Sequence, residues 1–311
     1  MGVGIAANSH LITSVSRHFL TDAFMSTSAI EARLPPELER TIFELAGWDD
    51  MPTMKTLVLV AHRVHLWIEP LLYRVQTSFQ SNDFSATHKL VVARPQYARH
   101  VKYLLLWSTR GGLDRTQYEE TLSACGNISY LVDWTQSASL LALSPHSLPN
   151  LTHLSIHVRP LVEDTSSTLS ALTSALAILR NATHLDVSDL NLLDDPEDTI
   201  PRILQSAALP ALTHLSFAED PSNPEYFKEI LSIPHRTNRL RQLVVFVENT
   251  DGKEEDHWLE KRIADPRFVV VYGPDFRKDW LRDKPWLWDR GDEAHDARGF
   301  NPDDSINYNT P

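Results

Sequence analysis

A chain of 311 residues, 42% hydrophobic and 23% charged, has the balance of a globular protein long enough to bury a sizeable core. Its net charge of −12 opposes the positive field of a nucleic-acid binder, and no run of five Lys or Arg occurs. The single cysteine, Cys125, excludes an internal disulfide framework and a multi-cysteine zinc site, and no apolar run approaches the ~18 residues that span a bilayer.

Residues 1–30 carry little periodicity and are expected to form a disordered leader, with Met25 a second candidate start. Arg17 is alone there, too little charge for a transit peptide. Ala6 stands where a myristoylation motif needs Ser or Thr. Regular structure is expected from Leu34. Pro35 and Pro36 suit a first helical turn, where a missing N–H costs nothing, and Glu37 and Glu39 complement the positive end of the helix dipole. Leu38, Ile42 and Leu45 fall at i, i+4 and i+7, one apolar stripe with Phe43 beside it, and Gly47 closes the helix. A second short helix is expected over residues 51–59, and a third from Val60 to Tyr73 that ends near Pro70.

Leu34-Pro35-x-Glu37-Leu38-x-x-x-Ile42-Phe43 resembles the opening of an F-box, and Val60-Ala61-His62-Arg63-x-x-x-Trp67-x-x-Pro70-Leu71-Leu72-Tyr73 resembles its closing half. The match covers about 40 residues. Ala61 replaces a common Cys, and Val64 occupies the usual Trp position, with Trp67 three residues later. The resemblance implies docking to a Skp-type adaptor through Leu34, Pro35, Leu38, Ile42, Phe43, Val60, Trp67 and Leu71.

Beyond residue 95 the pattern apolar-x-x-apolar-x-apolar recurs. Its central leucines are Leu104, Leu131, Leu154, Leu185, Leu215 and Leu243, spaced by 27, 23, 31, 30 and 28 residues. Leucine-rich repeats run roughly 20–29 residues. The words THLSI, THLDV and THLSF are near copies, although the Asn or Cys usual after each strand is missing. Residues 170–180, 199–208 and 226–232 read as intervening helices, and residues 268–272 as a closing strand. Strand and helix alternating at this period predict a parallel sheet curved into a solenoid.

In that register the positions between the buried ones form columns on the other sheet face, with neighbours ~4.8 Å apart. One column holds Tyr103, Tyr130, His153, His184, His214 and Gln242; a second holds Leu105, Val132, Ser155, Asp186, Ser216 and Val244; a third holds Trp107, Trp134, His157, Ser188, Ala218 and Phe246. Exposed Trp and Tyr dominate interfaces, so Tyr103, Trp107, Tyr130 and Trp134 are either a partner hot spot or rings packed beneath neighbouring elements. His153, His157, His184, Asp186 and His214 extend the candidate partner surface. The histidines are read as a repeated word rather than a metal site. His62, His65 and Glu69, on one helix face, are read as surface groups.

LPPEL, WIEPLLYR, the degenerate repeats and DPRFVVVYGPDFRKDW together resemble a large group of fungal F-box proteins. The expected organisation is an α/β chain: leader 1–30, a helical F-box-like module at 31–75, a leucine-rich-repeat-like domain at 95–290, and an acidic disordered tail at 291–311. The resemblance implies a substrate receptor working with a Skp-type adaptor and cullin subunits on an unknown target protein, in the cytoplasm or nucleus. The alternative is a repeat scaffold outside any ligase. No nucleic-acid or membrane partner and no cofactor is expected, and no G-x-S-x-G, P-loop or Rossmann glycine motif marks an enzyme.

Overall fold

The computed structural model describes residues 34–48, 50–78, 81–107, 114–135, 148–157, 180–188, 200–201, 204, 209–218, 224–234, 239–248, 258–273, 288 and 291–292. The leader, most of the 170–180 and 199–208 helices, and the tail beyond Asp292 lie outside them. The chain divides into two compact units, one up to Ile42 and one from Phe43.

The described part of the first unit is Leu34 to Ile42. It enters helix α1 (Pro36–Gly47), with the Leu38 and Glu39 N–H groups both donating to Pro35 O at 3.0 Å, which satisfies two donors of the first turn.

The second unit begins with the remaining turns of α1. Helices α2 (Met51–Leu57) and α3 (His62–Leu72) follow. Met54, Val64 and Ile68 are buried among them, packed by Phe43, Leu57, Trp67 and Leu71. Gly47 is required here, because a Cβ at that position would sit 2.8 Å from Met54 Cγ. Helix α3 carries Pro70 in its last turn and ends at Leu72, two residues beyond it.

Then come β1 (Val75–Ser78), α4 (Ser81–Ala93), α5 (Pro95–Ala98), β2 (Tyr103–Trp107), α6 (Arg115–Ala124), β3 (Tyr130–Trp134), β4 (His153–Ile156), β5 (His184–Val187), β6 (His214–Ala218), α7 (Pro224–Ser232), β7 (Gln242–Glu248), α8 (Trp258–Ile263) and β8 (Phe268–Gly273). The eight strands form one parallel sheet in chain order, β1 to β8. Each strand joins beside its predecessor, the order expected of a repeat-like α/β fold. The sheet starts earlier than the repeat words, because β1 carries none of them.

One sheet face packs against helices. Leu104, Leu131, Leu154, Leu185, Leu215 and Leu243 lie side by side with Leu106, Ile156, Val187, Phe217 and Val245, under Tyr118 and Leu122 of α6 and Phe227 and Ile230 of α7. Fully burying one such side chain contributes about 1.5–3 kcal/mol. The apolar positions of the repeated word are therefore the core.

The turns before the strands carry a second repeat. The side chains of Asn127, Asn150 and Asn181 donate to Arg99 O, Gly126 O and Pro149 O of the preceding turn at 2.8, 3.3 and 3.0 Å. The asparagine sought after each strand thus stands before it in these three repeats. The threonines add another rung: Thr152 Oγ1 donates to Ser129 O, Thr183 Oγ1 to Thr152 O, and Thr213 Oγ1 to Thr183 O, all at 3.1–3.2 Å.

Candidate functional site

The opposite face of the sheet carries the candidate site. The register aligns Tyr103, Tyr130, His153, His184, His214 and Gln242 across β2 to β7. Five of these are rings in one continuous stack. Successive ring centroids lie 4.5, 3.9, 3.9 and 4.2 Å apart from Tyr103 to His214. These spacings are shorter than the strand separation, so the rings lean onto one another.

The threonine of each THL word orients its histidine. Nδ1 of His153, His184 and His214 lies 2.9, 2.8 and 2.8 Å from Oγ1 of the preceding Thr. That hydroxyl spends its proton on a backbone carbonyl, so in the neutral ring Nδ1 is the donor and Nε2 keeps its lone pair. Burial holds His153 down to about 3, with His214 adding to the effect, and holds His184 down to about 2, with both histidine neighbours adding. At neutral pH both are uncharged.

The next column is a buried polar chain. Trp134 Nε1 donates to Ser155 Oγ at 2.9 Å, and Ser155 and Ser216 each donate to Asp186 at 2.5 Å. Burial raises the Asp186 carboxyl to about 6 even though both serine hydroxyls act to lower it, so desolvation wins. Trp107 meets Trp134 edge-on at 6.2 Å, and His157 stacks beyond it at 6.3 Å.

Much of this face is covered. Leu105, Val132, Trp134, Val244, Phe246, Val269 and Val271 form a second apolar cluster with Trp288, which is 3% exposed. The Trp288 indole meets His184 edge-on at 4.9 Å and His214 at 5.9 Å. Gly291 is buried against Gln242, where an added Cβ would stand 2.9 Å from Nε2. Asp292 Oδ1 lies 3.9 Å from His214 Nε2. Sequence reasoning placed Gln242 at the end of the ring column, as the register shows, but did not single out Trp288, Gly291 or Asp292.

Of the expected partner residues, Tyr103, Trp107, Tyr130, His153, His157, His184 and His214 are partly buried, while Trp134 and Asp186 are fully buried. The stack extends toward the helices through Arg74. Its guanidinium lies 4.7 Å from the Trp48 ring centre and 5.3 Å from that of Tyr103.

Of the expected adaptor residues in the first unit, Leu34, Leu38 and Ile42 are 45%, 54% and 53% exposed, and Pro35 is exposed. In the second unit Val60 is exposed, whereas Phe43, Trp67 and Leu71 are partly buried around Ile68, the first two with ring centres 6.4 Å apart. His65 Nε2 lies 3.3 Å from Glu69 Oε1, while its Nδ1 faces Val58 O at 3.3 Å. Among the described residues no three His, Cys, Asp or Glu side chains are arranged to hold a metal ion. No described helix is long and apolar enough to cross a membrane. No protein-family model, curated protein or solved structure matches this chain.

Proposed function

We propose that this chain is the substrate-recognition adaptor of a Skp-cullin-F-box type ubiquitin ligase, built as an N-terminal docking module ahead of a leucine-rich-repeat-like solenoid. The observation that carries the reading is the exposure of Leu34, Leu38 and Ile42. Leu38 and Ile42 sit one helical turn apart, and bulky aliphatic groups left in water at that spacing suit a helix that docks into a partner's groove. Pro35, Phe43, Val60, Trp67 and Leu71 supply or support the rest of the docking residues. The aromatic and histidine face of the sheet takes a target protein. Ubiquitin chemistry belongs to the cullin-bound subunits, and this chain contributes effective concentration by holding the target near them.

Co-purification from cells with the Skp-type adaptor tests the reading. The wild-type chain recovers the adaptor, and the Leu34→Ala/Pro35→Ala double variant recovers at least tenfold less at equal expression. Absence of the adaptor from the wild-type preparation leaves the ligase-free scaffold as the better account.

A further inference from the structure

All eight strands are parallel, so every turn that leads into a strand lies along the same rim of the sheet. In the turns into β2, β5 and β7 that rim carries Arg99, Lys102, Arg180, Arg239 and Arg241, all exposed. The ion pairs made by Arg and Lys among the described residues involve Arg115, Lys228, Arg262 and Arg267 instead. Among the described residues of the turns into β2 to β8 the one acid is Asp265, and Arg267 holds it at 2.8 Å. Backbone acceptors do not neutralise the rim either. Lys102 O takes the N–H groups of Ser129 and Tyr130, and Arg99 O takes the Asn127 side chain. The rim is also continuous. From Lys102 O, the backbone N–H groups of Ser129, Thr152, Thr183, Thr213 and Arg241 each donate to the preceding member of the row at 2.7–3.0 Å. Lys102 and Arg241 thus end one hydrogen-bonded row that crosses from β2 to β7, five strand steps or about 24 Å.

We propose that this rim docks an extended acidic protein segment, whose carboxylates meet Arg99 and Lys102 at one end, Arg239 and Arg241 at the other, and Arg180 between them. Charge complementarity carries the choice of partner. An extended segment advances ~3.3 Å per residue, so about seven residues bridge the two ends. The net charge of −12 favours a short partner over a membrane or a nucleic acid. Charges more than ~8 Å away are screened in physiological salt, so a short segment meets only the basic rim. A broad polyanion also meets the acidic remainder of the chain. None of these five residues belongs to the aromatic and histidine face or to the proposed adaptor-docking residues. The inference therefore goes beyond the ligase reading, and its test uses no ligase subunit.

The experiment follows a fluorescein-labelled peptide of six Glu-Ser repeats by anisotropy against the full chain. Saturable binding to the wild-type chain is expected, with at least tenfold weaker binding of a Gln-Ser peptide of equal length. Lys102→Glu/Arg241→Glu weakens the Glu-Ser peptide at least tenfold. Lys55→Glu/Lys228→Glu makes the same change in net charge on helices α2 and α7, off the rim, and shifts binding less than twofold. Equal weakening by the two double variants reports net charge alone and overturns the proposal, as does a wild-type chain that shows no saturable binding. Tighter binding to phosphatidylserine vesicles or to a twelve-nucleotide single-stranded DNA than to the Glu-Ser peptide overturns it as well. If Lys102→Glu/Arg241→Glu does not melt cooperatively, Lys102→Gln/Arg241→Gln takes its place: severalfold weakening supports the proposal, and none overturns it.

Discussion

His153 and His184 stack face to face with ring centres 3.9 Å apart and planes 14° apart, in the middle of a five-ring column. Two imidazoles in that contact, partly buried and held by Thr152 and Thr183, stay neutral far below their ordinary pKa of 6.5. Asp186, two residues along the same strand from His184, moves the other way, from 3.8 to about 6.

These shifts set the acid response. Around pH 5 the unfolded chain holds a proton on each of His153 and His184 that the native state lacks. The native state holds one on Asp186 that the unfolded chain lacks. The net difference is one proton in favour of unfolding, so these groups lower stability by about 1.4 kcal/mol per pH unit on acidification. Asp186→Asn removes the native proton uptake, and the slope between pH 5.5 and 4.5 steepens by about 1.4 kcal/mol per pH unit. Urea unfolding at several pH values measures it. An unchanged slope contradicts the assignment of a protonated Asp186.

Tyr118 and Asp133 make a second buried pair, with the phenol donating at 2.6 Å to a carboxylate that also accepts from Thr135. Burial raises both groups above their ordinary values. Tyr118→Phe keeps the ring but takes one donor from a buried carboxyl, which destabilises by about 1–3 kcal/mol. Chemical denaturation at neutral pH reads this directly.

Cys125 is fully buried, and burial pushes its thiol up to about 12. Since the thiolate is the reactive form, the native chain is expected to resist Ellman's reagent at pH 8 and to release one equivalent on denaturation. Fast native reaction contradicts the burial.

Leu215→Ala removes a side chain from the helix-covered core and costs about 2–5 kcal/mol. Leu38→Ala alters an exposed one, with an expected effect within about 0.5 kcal/mol. Thermal unfolding of the two variants separates a core leucine from an exposed one.

The sheet was legible because an in-register parallel ladder needs the same side-chain order at the same depth in every strand. The word apolar-x-x-apolar-x-apolar placed six of the eight strands, and the closing run at Phe268 placed the last. Strand β1 was not legible, since Val75–Ser78 has only one apolar residue and no repeat word. Helix α4, which packs Phe84 and Val91 under the sheet, was likewise passed over. The columns of rings were legible, but their burial was not. Trp288 reaches His184 across more than a hundred residues, and no local pattern announces a contact of that range. The column Ser155, Asp186, Ser216 did carry a usable signal: an acid flanked by two hydroxyls on neighbouring strands has the composition of a closed hydrogen-bond chain. For Leu38 and Ile42 of the proposed docking helix, spacing foretold the helix and the stripe, while exposure had to be seen.

The most direct test of the docking claim is a calorimetric titration of the purified chain with a purified Skp-type adaptor. The account predicts saturable one-to-one binding that Leu34→Ala/Leu38→Ala weakens at least tenfold while the melting temperature stays within a few degrees of wild type. No measurable heat of binding, or equal binding by the variant, contradicts it.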